Sequence, residues 1–451
     1  MISADSATTS PVRVASLVTS FGVLFGFSTA SIAGVLETIT RDLAIGSLAT
    51  GALVASLVAG CCLGSIAAGF LSGRIGRRRT LLAAIAVAAP GFFIMFASPG
   101  FTWLALARLL VGLGVGLSSM VAPMYAAEAT RARYRGAVVA IFQLAITAGI
   151  MLAYGVALAF ADARWATILG SGALVLGLCL AATMLVPESP RWLLSKGETQ
   201  AAQHAAHRLG LTDEMTWSVD HPPARAQNGG WGVLAAGSTL TVLLLCSLLF
   251  ILQNLSGIDG ILYYAPSIFG KLGFNAGVAA LAATFGLGIA NFIATLIALR
   301  LVDGAGRRPL LVWGSAAMVA GLGLTVAAAL LDQPWVGLAG LTLYIVAFAL
   351  SLGPLPYVLM SELFPAAIRE QGVAVATTIS WLFNGAIALG FPGLVEAVGL
   401  TVAMSLFLGV CVASFVVAVL FVPETRGATL EEIEERVLAG EPVRLVGGAP
   451  S

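Results

Sequence analysis

Charge is what this chain has least of. Only 10% of its 451 residues are Asp, Glu, Lys or Arg, against about 25% in an ordinary soluble domain. So few ionic groups cannot cover a water-facing surface. With 59% apolar residues and a mean hydropathy of +0.98, the solvent of most of the chain is lipid. Histidine is nearly absent: the 3 present are His204, His207 and His221, all in one polar stretch. His204 and His207 could share a helix face, but two imidazoles make a weak metal site. No nucleophile-base pair or ligand cluster stands elsewhere, so no enzyme, metal or cofactor is implied. The 5 cysteines (Cys61, Cys62, Cys179, Cys246, Cys411) all fall in apolar runs, which excludes a disulfide framework. Net charge is +1, so no nucleic-acid partner is implied. Strict period-two alternation is also missing, which excludes a membrane barrel.

What is there is a series of long apolar runs. A membrane-spanning helix needs about 20 mostly apolar residues. Twelve such spans are predicted: 14–36, 49–72, 80–97, 102–125, 135–160, 165–186, 235–265, 276–301, 309–330, 335–360, 369–392 and 399–422. The chain reads as an all-α membrane protein with twelve transmembrane helices. The first twelve residues read as a short polar tail with no cleavage site after it, so the first span is retained.

Charge distribution predicts orientation. Of 23 Lys and Arg, only Arg41, Arg164 and Lys271 fall in loops of one parity, Arg108 lies inside the fourth span, and the other 19 gather at the opposite side. The positive-inside rule then places both termini in the cytoplasm of a multi-pass protein of the cytoplasmic membrane. Five regions follow: a tail (1–13), six spans (14–186), a bridge (187–232), six spans (233–422) and a second tail (423–451). The bridge holds "SPRWLLSKGETQAAQHAAHRLG", with the spacing of short amphipathic helices. The second tail holds another short helix, "TLEEIEERVLAG". Glu37, Arg41 and Asp42 read as solvated charges outside the first span, and Trp103 and Trp335 as interfacial anchors at span ends.

The two six-span halves repeat. "GRIGRRR" (73–79) matches "DGAGRRP" (303–309), "AAEATRARYRG" (126–136) matches "MSELFPAAIREQG" (360–372), and "VPESPR" (186–191) matches "VPETRG" (422–427). The offset stays between 230 and 236 residues. A parallel duplication is one plan of secondary transporters, with the site between the halves.

With "PESPRWLL", "QNLSGIDGILYYAP", "GPLPYVLMSELFP" and "PETRG" in one chain, the sequence resembles the sugar porters of the major facilitator superfamily from the first span to the last motif. The glycine-proline pattern of drug/proton antiporters is missing from "FQLAITAGIMLAYG". The resemblance implies the major facilitator fold, two pseudo-symmetric six-helix bundles with a short cytoplasmic helical bridge. It implies a monomer that moves a monosaccharide or related polyol by alternating access, with helices one, four, seven and ten lining the path. Substrate-binding positions map onto Gln143, Gln253, Asn254, Asp259, Asn291, Tyr357, Trp381 and Asn384, and an extracellular gate onto Tyr263 and Tyr264. A cytoplasmic charge network maps onto Arg74, Arg78, Glu128, Arg135, Glu188, Asp303, Arg308, Glu362, Arg369 and Glu424. Each loop motif keeps half of the superfamily's acid-base pair: Gly73 precedes Arg74 in the first copy, and Gly304 follows Asp303 in the second. Tyr357 stands where many members have Trp. For Gln143 and Asn291 a plain inter-helix hydrogen bond is the competing reading. A membrane sugar sensor is the competing class, though sensors of this fold have long signalling tails.

The seventh span is the most polar. At about 100° per residue, Gln253, Gly257, Gly260 and Tyr264 share one stripe, while Asp259 and Tyr263 lie about 120° away. A continuous helix could not aim both sets at one ligand, so Gly257 and Gly260 are expected to bend or unwind it. Amides both donate and accept, which suits sugar hydroxyls. Two departures bear on energy coupling. Proton-coupled sugar porters carry an aspartate in "GFxFGYDTxxISG" of span one; this chain has "GVLFGFSTASIAG", with Ser28 at that position. That favours facilitated diffusion. Conversely, Asp259 stands where members commonly have Asn. It is read as a relocated proton site, a strong acceptor for a sugar hydroxyl, or a carboxylate bonded to unwound backbone amides.

Overall fold

In lipid a backbone must satisfy its own hydrogen bonds, so apolar runs of this length fold as helices. The computed structural model describes residues 11–97, 100–131, 135–211, 237–275, 277–365 and 368–447. No strand occurs among them, and 11 helical stretches are long and apolar enough to cross a bilayer. Twelve spans were expected. The difference is the last stretch, a 52-residue helix Arg369–Leu420. At about 1.5 Å per residue it is far longer than the roughly 30 Å of hydrocarbon it could cross once. Gly399, with φ 81° and ψ 162°, breaks it into two. That left-handed φ suits glycine, and the break falls where the sequence separates spans eleven and twelve.

The chain divides into two compact units, Met1–Ile45 with Ala52–Ala224 and Gly46–Gly51 with Arg225–Ser451. The first unit contains α1 (Pro11–Ala30), α2 (Leu36–Asp42), α3 (Ser47–Ile75, apart from its first five residues), α4 (Arg77–Ala97), α5 (Phe101–Glu128), α6 (Arg135–Ala159), α7 (Trp165–Gly170) and α8 (Gly172–Met184). The short helices α9 (Pro190–Ser195) and α10 (Thr199–Leu209) follow. Ser189 caps α9 by accepting from Trp192 N at 3.2 Å, with Pro190 in the first turn, where its missing N–H does no harm. His221 and the "DHPPARAQNGG" loop lie outside the described residues.

Helices of this unit approach closely through small residues. A Cβ at Gly112 or Gly116 would run into the backbone of α3 at Leu57 or Cys61. Small residues at such crossings let dispersion and weak backbone contacts replace the hydrophobic drive that lipid removes. The opposite faces are apolar and open: Phe93 is 82% exposed and Leu174 76%. Arg108 is buried and donates from Nε to Leu53 O on α3 at 2.9 Å.

The second unit contains α11 (Gly237–Leu255), α12 (Ile258–Lys271), α13 (Val278–Ala305), α14 (Arg307–Leu331), α15 (Pro334–Leu350), α16 (Leu355–Leu363), α17 (Arg369–Leu420) and α18 (Leu430–Leu438). Two of its spans are interrupted. The seventh breaks between α11 and α12, and the tenth between α15 and α16 at Ser351–Pro354. The tail helix α18 carries a full capping box, Thr429 with Glu432.

Candidate functional site

The break in the seventh span sits at Gly257, whose φ is 92°. A side chain there would also strike the Phe407 ring. Gly260, expected to share the unwinding, is instead helical inside α12, and the second distortion lies at Tyr264 (φ −120°, ψ 16°). The carbonyl that the break frees, Ser256 O, accepts from Tyr344 OH on α15 at 3.0 Å. Gln253 Nε2 donates to Gly353 O at 2.9 Å, tying the break of the seventh span to the break of the tenth. Two interrupted helices thus satisfy each other's stray backbone groups, the condition for irregular backbone at membrane depth.

The break also solves the aiming problem. Asn254 Nδ2 donates to Phe250 O at 2.7 Å and to Ser380 Oγ at 3.0 Å. Tyr263 OH donates to Asn384 Oδ1 at 3.2 Å, and Tyr264 OH to Ala388 O at 2.7 Å. Residues 380, 384 and 388 are spaced i, i+4, i+8, so they form one stripe of α17. Residues from both faces of the seventh span therefore meet one face of the eleventh. Asp259, in the first turn of α12, lies beside the Asn384 side chain. Its Oδ2 is buried without a partner. None of its described hydrogen bonds comes from a backbone amide.

The remaining expected residues of this unit lie on α13, α16 and α17. Asn291 on α13 is buried, as are Gln253 and Asn254. Tyr357 on α16 is 46% exposed, packs edge-to-face on Phe250 at 4.8 Å, and lies within electrostatic reach of Asp259. Trp381 and Asn384 are half-buried on α17. Gln143 belongs to the other unit, exposed on α6. Ser28 is buried on α1 with its hydroxyl unpartnered. Tyr344 and Ser380 were not singled out from sequence. Ser380 could have been, as a polar residue in mid-span beside Trp381; Tyr344 carries no such signal in "LTLYIVAF".

The arginine motifs build the same brace twice. In the first unit, Arg77 grips Glu128 with Nε–Oε2 at 2.9 Å and Nη2–Oε1 at 2.8 Å. Glu188 Oε1 accepts from the backbone N–H of Arg77 and Arg78 at 2.9 and 3.0 Å. In the second unit, Arg307 Nη2 meets Glu362 Oε1 at 2.9 Å, and Glu424 accepts from Arg307 N and Arg308 N at 3.1 and 3.2 Å. Gly76 and Gly306, with φ of 101° and 92°, leave room for the two glutamates against the backbone. The gripping arginines are thus Arg77 and Arg307, members of the arginine clusters that the mapped network did not name individually. Arg78 and Arg308 turn instead to Thr183 O and Val419 O, at 3.1 and 2.9 Å. Arg74 is exposed, and Arg369 Nε donates to Phe364 O at 3.1 Å. The side chains of Arg135 and Asp303 lie outside the described set. The signal was available: Arg77 and Arg307 occupy the same step of the two motif copies. A cavity of about 400 Å³ beside Arg78, His204 and Arg208 belongs to the first unit and holds none of the expected sugar-binding residues.

Twelve helical spans, two of them broken around buried amides and tyrosines, define a multi-pass membrane protein. The profile of the family described as "Sugar (and other) transporter" matches residues 14–437, and the chain belongs to that family, the sugar porters of the major facilitator superfamily. It is 32% identical to the D-xylose transporter of Levilactobacillus brevis, over 93% of this chain and 94% of that one. It is 31% identical to the galactose-proton symporter of Escherichia coli, over 94% of each. The solved proton:xylose symporter XylE bound to 6-bromo-6-deoxy-D-glucose is 31% identical, covers 94% of this chain and 98% of its own, and superposes with a TM-score of 0.77. The protein is a sugar transporter.

Proposed function

We propose that the chain carries a monosaccharide, a hexose or pentose or a related polyol, across the cytoplasmic membrane by alternating access, as a monomer. Gln143, Gln253, Asn254, Asn291 and Asn384 would read the sugar hydroxyls, Tyr357 and Trp381 would cover its apolar face, and Asp259 would accept from a hydroxyl. Tyr263 and Tyr264 would form the gate toward the outside. The observation that carries this reading is the break at Gly257, which turns polar residues from two faces of one helix toward a single stripe of α17. Amide groups suit this task because each offers donors and acceptors without a fixed charge. Several still have capacity: Gln253 Oε1, Asn254 Oδ1 and the Asn291 amide make no described side-chain hydrogen bond. The names of relatives support a sugar of this size, among them a D-xylose transporter and a galactose-proton symporter.

Both termini would face the cytoplasm, where 19 of the 23 Lys and Arg fall. The two arginine-glutamate braces would hold the cytoplasmic ends of each helix bundle as rigid levers. The test is uptake of a radiolabelled hexose and pentose panel by proteoliposomes of the purified protein. At least one sugar enters faster than into protein-free vesicles and is competed by its unlabelled form. Folded protein that moves no member of the panel contradicts the proposal.

A further inference from the structure

Asp259 stands apart in its surroundings. It is a carboxylate set well inside a membrane-spanning stretch, and no Lys or Arg lies within ion-pair distance of it among the described residues. The helices packed on α12 are α11, α13, α15 and α17. α11 and α15 contain no charged residue at all. Arg300 on α13 and Glu396 on α17 are exposed, Arg369 is the first residue of α17, Lys271 is at the opposite end of α12, and the side chains of Asp303 and Glu370 lie outside the described set. The titratable groups within electrostatic reach are Tyr344 and Tyr357, with Cys411 beside Tyr344. The first turn of a helix favours a negative charge, whereas a buried oxygen with no partner opposes one. The site thus sets the two charge states of this group against each other.

Its neighbour Asn384 connects it to the gate. Asn384 Oδ1 accepts from Tyr263 OH at 3.2 Å, so the donor that Asn384 can offer Asp259 is its amide Nδ2. We propose that Asp259 binds a transported proton, and that Asn384 passes its charge state to Tyr263. Ionised Asp259 holds the Asn384 amide with a charge-assisted bond, and the amide oxygen is then fixed to receive the Tyr263 hydroxyl. A proton on Oδ2 weakens that hold, frees Asn384 to turn toward a sugar hydroxyl, and releases Tyr263. Ser28, buried in α1 and unable to titrate near neutral pH, leaves this role open in the first unit. The proposal makes the chain a proton-sugar symporter, and it rests on the sugar-transport reading.

The experiment compares wild type with Asp259→Asn in proteoliposomes, using the panel sugar that exchanges best. Three quantities are read: counterflow at equal pH, accumulation under an inward proton gradient, and the carboxylic-acid carbonyl band in pH-difference infrared spectra of the sugar-free protein. Wild type should accumulate sugar in an uncoupler-sensitive way. Asp259→Asn should keep measurable counterflow, slower than wild type, but lose accumulation at least tenfold together with the acid band. Asn384→Ala should keep the band and lose the accumulation. Accumulation intact in Asp259→Asn overturns the proposal, as does a wild type that exchanges sugar yet never accumulates it. If no sugar exchanges, the transport reading fails separately, and the infrared band alone decides whether Asp259 takes a proton: a spectrum identical in wild type and Asp259→Asn ends the proposal.

Discussion

Single residues carry most of the chemistry, and their types were readable before their partners were. Gln253 and Asn254 stood out as amides in an apolar run, but nothing in sequence showed that one reaches Gly353 O and the other Ser380. Those partners lie 100 and 126 residues away, a distance that local periodicity does not report. The same limit hid Arg77. Three consecutive arginines look alike in a loop, and only the fold shows that the first of them makes the two-pronged contact with Glu128. A bidentate pair that is largely buried leaves an uncompensated charge when one partner goes, at about 3–5 kcal/mol. Arg77→Ala should therefore lower the denaturation midpoint strongly, and Arg307→Ala to a similar degree, while Arg74→Ala should cost less than about 0.5 kcal/mol as an exposed change. Detergent-solubilised thermal unfolding of the three variants checks this; an equal effect at Arg74 and Arg77 would remove the brace.

At the scale of elements, the interrupted seventh helix is the decisive feature. Its glycines announced a distortion in sequence, yet which glycine bends could not be told, because Gly257 and Gly260 have the same intrinsic freedom. Packing decides: Phe407 lies where a Gly257 side chain would go, and the Ser256 carbonyl finds Tyr344. Gly257→Ala combines a left-handed backbone, about 1–2 kcal/mol, with an overlap that adds about 1–3 kcal/mol. It should depress stability and sugar affinity together, and Phe407→Ala in the same chain should relieve only the overlap. Tyr344→Phe strands a buried carbonyl, about 1–3 kcal/mol, so it should weaken sugar binding although the ring lies behind the break. Unfolding midpoints measured beside sugar affinities test both, and wild-type affinity in Tyr344→Phe would mean the break needs no support. Span boundaries were legible in outline. Spans eleven and twelve run together as one helix because a lone glycine, Gly399, separates them.

The whole molecule shows its duplication most clearly in the braces, where Gly76, Arg77, Glu128 and Glu188 recur as Gly306, Arg307, Glu362 and Glu424. The offset read from the motifs already pointed to this repeat. The polar set has no such repeat: the broken spans with buried amides belong to the second unit, while Gln143 is the candidate from the first. Asymmetric chemistry on a symmetric frame explains why the fold was easier to read than the site. The measurement that bears most directly on the account is calorimetric sugar binding to purified, folded protein, using the panel sugar with the fastest uptake. Loss of one or two hydrogen bonds of about 1–1.5 kcal/mol each predicts roughly tenfold or greater weakening in Gln253→Ala and Asn254→Ala. Trp313→Leu, at an α14 residue that is 75% exposed, should bind like wild type. Wild-type affinity in both Gln253→Ala and Asn254→Ala would contradict the assignment of the sugar to the broken seventh helix.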